Sequence, residues 1–158
     1  MTFLVFVPLD RAEATALCAG ADLGARPGCA PTAGLAGSLG PAAVAEEVEF
    51  AALNHAGVLA VGAGSDPLRL VLAADVADDQ VTDRGNELGE VTVGGLRWAQ
   101  VQALFADESA AAPPVARARV QLAEVDPADA GAIEAVAALQ GEFDLLWFAP
   151  DELDQLPY

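Results

Sequence analysis

Residues 68–75, LRLVLAAD, constrain this chain most. From Leu70 to Ala74 the stretch is apolar without interruption, and turn-forming residues lie on both sides of it. A strand exposed on one face alternates apolar and polar residues, whereas one covered on both faces does not. The stretch therefore predicts a strand at or near the centre of a sheet, with the other elements laid against it. Residues 2–7, stopped by Pro8, are β-branched and aromatic and predict a second interior strand.

The remaining elements follow from caps and periodicity. Asp10-x-x-Glu13 is a capping box that opens a helix running to about Ala19, where Gly20 stops it. Residues 21–40 are rich in Gly, Pro and Ala and contain the turn signal Arg26-Pro27-Gly28, so they read as a long ordered loop or a short broken helix, part of it a candidate cover for a groove. Pro41 is placed to open the next helix at its first position. Val44, Val48, Ala51, His55 and Val58 then recur at helical spacing, which puts the lone His55 on an apolar stripe. A histidine there is more often a hydrogen-bonded core residue than a catalyst, and no Ser or Cys is near it in sequence. Gly62-Ala63-Gly64 resembles a dinucleotide loop only superficially. A helix precedes it and a strand follows, the reverse of what a pyrophosphate site needs, so it reads as a helix terminator.

Asp75, Asp78, Asp79 and Asp83 lack the central glycine of a calcium loop and read as an acidic connection. Residues 90–93 predict a strand and Gly94-Gly95 a turn. In residues 97–104 and just beyond, Trp98, Val101 and Phe105 fit a helix and Val101, Ala103 and Phe105 a strand; a short turn and then a strand ending at Asp107-Glu108 is the favoured reading. Val115, Ala118 and Leu122 share a helical face, while the alternation Val120, Leu122 would also allow a strand. Asp126-Pro127-x-Asp129 reads as a helix start, with Ile133, Val136, Ala137 and Gln140 along one side and Gly141 at the end. Residues 143–149, FDLLWFA, predict a final strand, and Pro150 opens a short terminal helix. No internal repeat or domain boundary appears. The expected fold is an α/β or α+β single two-layer domain, residues 1–158, with a mixed sheet of four or five strands and helices packed on it.

Charge excludes several partners. The chain has 24 Asp and Glu against 7 basic residues, for a net −17. Residues 65–158 contain eighteen of those acids and five arginines. Binding to a phosphate backbone rests on Lys and Arg displacing counterions, so no nucleic acid is expected as a partner, nor an anionic membrane surface. Cys18 and Cys29 form no CxxC, and one His leaves too few soft ligands for zinc. The apolar start, FLVFVPL, lacks a basic n-region and is interrupted by Asp10, Arg11 and Glu13, so it does not read as a signal peptide. No segment reaches the roughly 18 apolar residues of a membrane span. A cytoplasmic location without a cofactor is expected.

The closing residues Asp144 to Leu153, DLLWFAPDEL, together with Val5-Phe6-Val7-Pro8, Glu49-Phe50-Ala51-Ala52-Leu53 and residues 69–76, RLVLAADV, carry a resemblance. In that order they are similar to a family of short acidic proteins from high-GC Gram-positive bacteria that is known only as a domain of unknown function. Between Cys29 and Ala43 this chain is poorer in aromatics than that family's usual pattern. The resemblance implies a single domain and a cytoplasmic setting. It carries no activity and no site residues.

Two function classes compete, with a third behind them. The first is a non-catalytic interaction or regulatory protein with a protein partner. Trp147 and Phe148 are adjacent in a strand and point to opposite faces, so one can enter the core while the other meets a partner; Trp147 is the candidate binding residue. The competing structural reading buries both. The second class is a small metal-dependent hydrolase. Asp10, Asp75 and Asp107 each follow a predicted strand, and parallel strands would gather them at one sheet edge to hold Mg²⁺. The third is an acidic mimic of nucleic acid. The interaction reading ranks first because no nucleophile constellation is present.

Overall fold

The computed structural model describes residues 2–124 and 130–157. The helix start read at Asp126 to Asp129 lies outside these residues, as does the side chain of Ile133. Among the described residues the strands are β1 (Thr2–Pro8), β2 (Arg26–Cys29), β3 (Leu70–Ala77), β4 (Val81–Asp83), β5 (Glu90–Val93), β6 (Val101–Ala106) and β7 (Leu146–Phe148). The helices are α1 (Arg11–Cys18), α2 (Ala33–Leu39), α3 (Ala45–Ala63), α4 (Ala112–Glu124) and α5 (Ala130–Glu142), with a 3₁₀ helix at Pro150–Gln155.

The strands form one open sheet in the order β4-β5-β2-β1-β3-β6-β7. As expected, β3 is interior, flanked by β1 and β6, and Leu70 to Ala74 are all buried. Two expectations about the sheet are corrected. It has seven strands rather than four or five, and every pairing is antiparallel rather than mixed. The two strands not anticipated are short and carry no apolar run. β2 is Arg26-Pro27-Gly28-Cys29, the residues that read as a turn. A proline inside an interior strand is unusual because it cannot donate to the ladder. Here the ladder from β2 to β1 is reduced to the single pair Phe6–Cys29, and four pairs join β2 to β5. Gly28 is required at the close approach: a Cβ there would stand 2.7 Å from the Phe6 carbonyl oxygen.

The two-layer expectation is also corrected, because helices cover both faces. Alternation along β1 sends Val5 and Val7 to one side, where Ala14 and Leu17 of α1 pack with Leu153 and Leu156 from the chain's end. Phe6 points to the other side, against Val48, Ala52, Ala56 and Ala60 of α3 and Leu35 of α2. A third cluster, Val61, Val115, Ala118 and Leu139, joins α4 and α5 to α3. The central strands therefore read as continuous apolar runs although the sheet is antiparallel.

Helix α3 starts at Ala45, with Val44 as N-cap and Glu47 accepting the Val44 N–H at 3.2 Å, so Pro41 lies in the preceding turn rather than at the first helical position. Its buried stripe is Val48, Ala52, Leu53, Ala56 and Ala60, rotated from the one expected; Val44 is exposed and His55 only half-buried. An alanine-rich helix is apolar nearly all round, and the small residues permit the closest approach to the sheet, so size decides the face that hydropathy leaves open. Residues 21–40 are ordered as β2 and α2. Gly64 ends α3 as read.

Candidate functional site

The most distinctive surface lies at the β7 edge of the sheet. β7 is terminal in the strand order and pairs only with β6, through Leu104–Phe148, Phe105–Trp147 and Ala106–Leu146. Alternation places Leu146 and Phe148 on the α1 face, where Phe148 is half-buried against the core. Trp147 shares the opposite face with Phe105, whose ring meets Phe6 edge-on at 6.4 Å beneath α3. Trp147 is 61% exposed and Leu146 43%. The reading in which both aromatics are buried is thus overturned by the exposure of the Trp147 indole.

Sequence reasoning missed a second aromatic on this side. Phe50 of α3 is 58% exposed and shares a helix flank with Asn54 and Gly57. That flank faces the chain's end. Gln140 Nε2 donates to the Asn54 carbonyl at 3.0 Å, and a methyl on Gly57 would stand 3.5 Å from Leu145 Cδ1. Phe50 and Trp147 therefore rise on the same side of the sheet, together with half-buried Phe105 and Leu145. The signal available was the apolar Phe50 two residues after Val48, on the wrong side of the helix for burial.

The connection into β7 is held by a buried ion pair. Arg69 and Asp107 are 2% and 0% exposed. Arg69 Nε and Nη2 donate to the Asp107 carboxylate at 2.9 and 2.6 Å, and the Arg69 backbone N–H donates to the same group at 2.9 Å. Nη2 also donates to the Phe143 carbonyl at 2.9 Å, which ties the α5–β7 junction to the sheet. Asp107 is thus committed to arginine.

The structure does not bring together the three carboxylates weighed as metal ligands. Asp10 follows β1 as expected, and its carboxylate accepts bonds from the Ser65 N–H and Oγ at 3.2 Å each, while Glu13 accepts the Asp10 N–H. Asp75 lies inside β3 rather than after it, exposed opposite Leu4. It is five residues from Leu70, about 16 Å along a strand, and hence at the far end of β3 from Asp10 and Asp107. Among the described residues no three His, Cys, Asp or Glu side chains are grouped to hold a metal ion. The cavity lined by Asp10, Glu13 and Arg26 measures about 40 Å³, room for water but not for an organic ligand.

One convergence was invisible in sequence. Cys29 of β2 pairs across the sheet with Glu90 of β5, and the Glu90 carboxylate acts electrostatically on both Cys29 and His55. Asn86 Nδ2 holds that carboxylate at 2.5 Å. The arrangement does not make a nucleophile. Burial, helped by Glu90, pushes the Cys29 thiol up to about 12, and the residue is fully buried. Burial lowers His55 below its ordinary 6.5, with Glu90 opposing, so the imidazole is neutral at pH 7. Iodoacetamide at pH 8 is expected to modify exposed Cys18 in the native protein and Cys29 only after denaturation, as read by peptide mass spectrometry. Equal rates at both thiols would contradict the burial. The sign for stability also follows. The unfolded thiol ionises near 9 and the folded one near 12, so the native state holds the extra proton in between. Its contribution to stability is complete below pH 9 and is lost as pH rises toward 12.

The sequence pattern of a family described as a family of unknown function (DUF6912) matches residues 3–156, nearly the whole chain. The chain belongs to this family. No curated protein and no solved structure matches it. In this DUF6912 member the match takes in the described strands except for Thr2 at the start of β1, so the β7 edge, Trp147 and the Arg69–Asp107 pair all lie within the family region. No helix among the described residues is long and apolar enough to cross a membrane.

Proposed function

We propose that this protein is a non-catalytic interaction protein that docks a protein partner on the β7 edge, with Trp147 as the central contact. One observation carries the reading: a tryptophan 61% exposed on the terminal strand of a sheet whose interior is covered on both faces. Tryptophan is enriched among the residues that dominate binding energy, and leaving its indole in water forgoes the burial that its neighbours obtain. The acidic surface keeps the free protein soluble while the aromatic patch stays available.

Tagged wild-type protein and Trp147→Ala, passed over extract at low and moderate salt, test the proposal. A stoichiometric partner kept by the wild type and lost by the variant is the expected outcome. The variant should unfold within about 0.5 kcal/mol of the wild type, because the side chain is mostly solvated. A partner retained equally by both proteins would remove Trp147 from the site.

A further inference from the structure

Resting on that docking reading, we propose that the occupant of the β7 edge is an extended, basic polypeptide segment that hydrogen-bonds along the outer side of β7 as an eighth strand. The two ends of the sheet differ in a way that points to this. At the β4 end the edge is guarded: Thr82 and Asp83 are exposed and Arg84 follows, and charge at an edge discourages pairing. At the β7 end the strand is Leu146-Trp147-Phe148, with no charge, proline or bulge within it. Its outer row of backbone groups spans about 10 Å, enough for a short added strand, and alternate side chains of that strand would meet Trp147 on one face and Leu146 on the other.

Charge selects the occupant. From residue 120 to 158 the chain has nine carboxylates and no Lys or Arg. Exposed Glu142 and Asp144 lie just before β7, and exposed Asp151 and Asp154 follow it. A second copy of this chain would set like charges against like across the added strand, which is costly at an interface. A segment with Lys or Arg flanking an apolar, β-forming centre neutralises the rim and fills the aromatic face. The short reach of β7 also favours a flexible segment over a folded domain, which would have to bring its own sheet edge past the acidic rim.

A random peptide library of about ten residues, selected on immobilised full-length protein and counter-selected on Trp147→Ala, tests this. Enriched peptides are expected to carry Lys and Arg around β-branched or aromatic centres without proline. Raising salt from about 50 to about 300 mM should weaken them by about tenfold as the Debye length shrinks. Bound peptide should slow amide exchange at Leu146 to Phe148, and a proline at its centre should abolish binding. Selection of acidic, neutral or proline-centred peptides, no enrichment at all, unchanged exchange in β7, or a dimer of this chain through β7 would each overturn the proposal. The docking reading fails separately, in the extract experiment, when wild type and Trp147→Ala retain a partner equally; a partner lost on Trp147→Ala but not displaced by a basic peptide would leave the surface standing and remove the added strand.

Discussion

Asp107→Ala is expected to cost about 3–5 kcal/mol of folding stability, because it strands a buried guanidinium without its counter-charge. Arg69 is 2% exposed, and its Nε, Nη2 and backbone N–H all donate to Asp107. Removing the carboxylate leaves three donors in a site that water does not reach, and among the described residues only the Phe143 carbonyl still accepts from the arginine. The cost is the desolvated charge and not the worth of the pair, so the double variant Arg69→Met with Asp107→Leu should recover most of the loss. Urea unfolding of the wild type and the two variants at pH 7 checks both statements. A single variant within about 1 kcal/mol of wild type would mean that solvent reaches the pair, since exposed pairs contribute about that much or less.

Leu72→Ala is expected to cost about 2–5 kcal/mol. Leu72 is fully buried, is paired with Val7 on one side and Leu104 on the other, and belongs to the core between the sheet and α1. Neighbouring strands on both sides fix its surroundings, so the cavity has little means of collapsing, and a rigid cavity lies at the upper part of that range. The urea midpoint should fall with the slope unchanged. Val120→Ala serves as the contrast. Val120 is 53% exposed on α4, and its truncation should stay within about 0.5 kcal/mol. Equal effects at the two positions would invalidate the assignment of the core.

What sequence made legible, and what it did not, divides along physical lines. Strands β1 and β3, the Asp10 helix start and the Gly64 stop announce themselves, because a doubly covered strand or a capped helix must bury a continuous set of residues, whereas the patterns of β6 and α4 fit helix and strand alike. β2 and β4 are four and three residues long, held by neighbours rather than by their own composition, and β2 is built from residues that elsewhere make turns. Strand direction has no local signature, so the sequence permitted a mixed sheet and a gathering of Asp10, Asp75 and Asp107 that the antiparallel pairing forbids. Arg69 was a usable signal that went unused. A guanidinium at the mouth of an apolar run needs a buried partner, and Asp107, where β6 ends, is where the pairing supplies one. Trp147 was legible as one of two aromatics that must part company; which one faces water depended on where the helices lie.

The order of strands in space has a kinetic consequence. β1 is made first, yet its long ladder is to β3, so that Val5 waits for Ala74 across α1, β2, α2 and α3. High sequence separation at the heart of a sheet raises the loop-closure entropy of the nucleus and slows folding toward the millisecond-to-second range. On the ribosome, the first strand has no partner for its main ladder until the third strand has emerged, and the last strand to be synthesised, β7, joins an assembly whose interior pairings are already available.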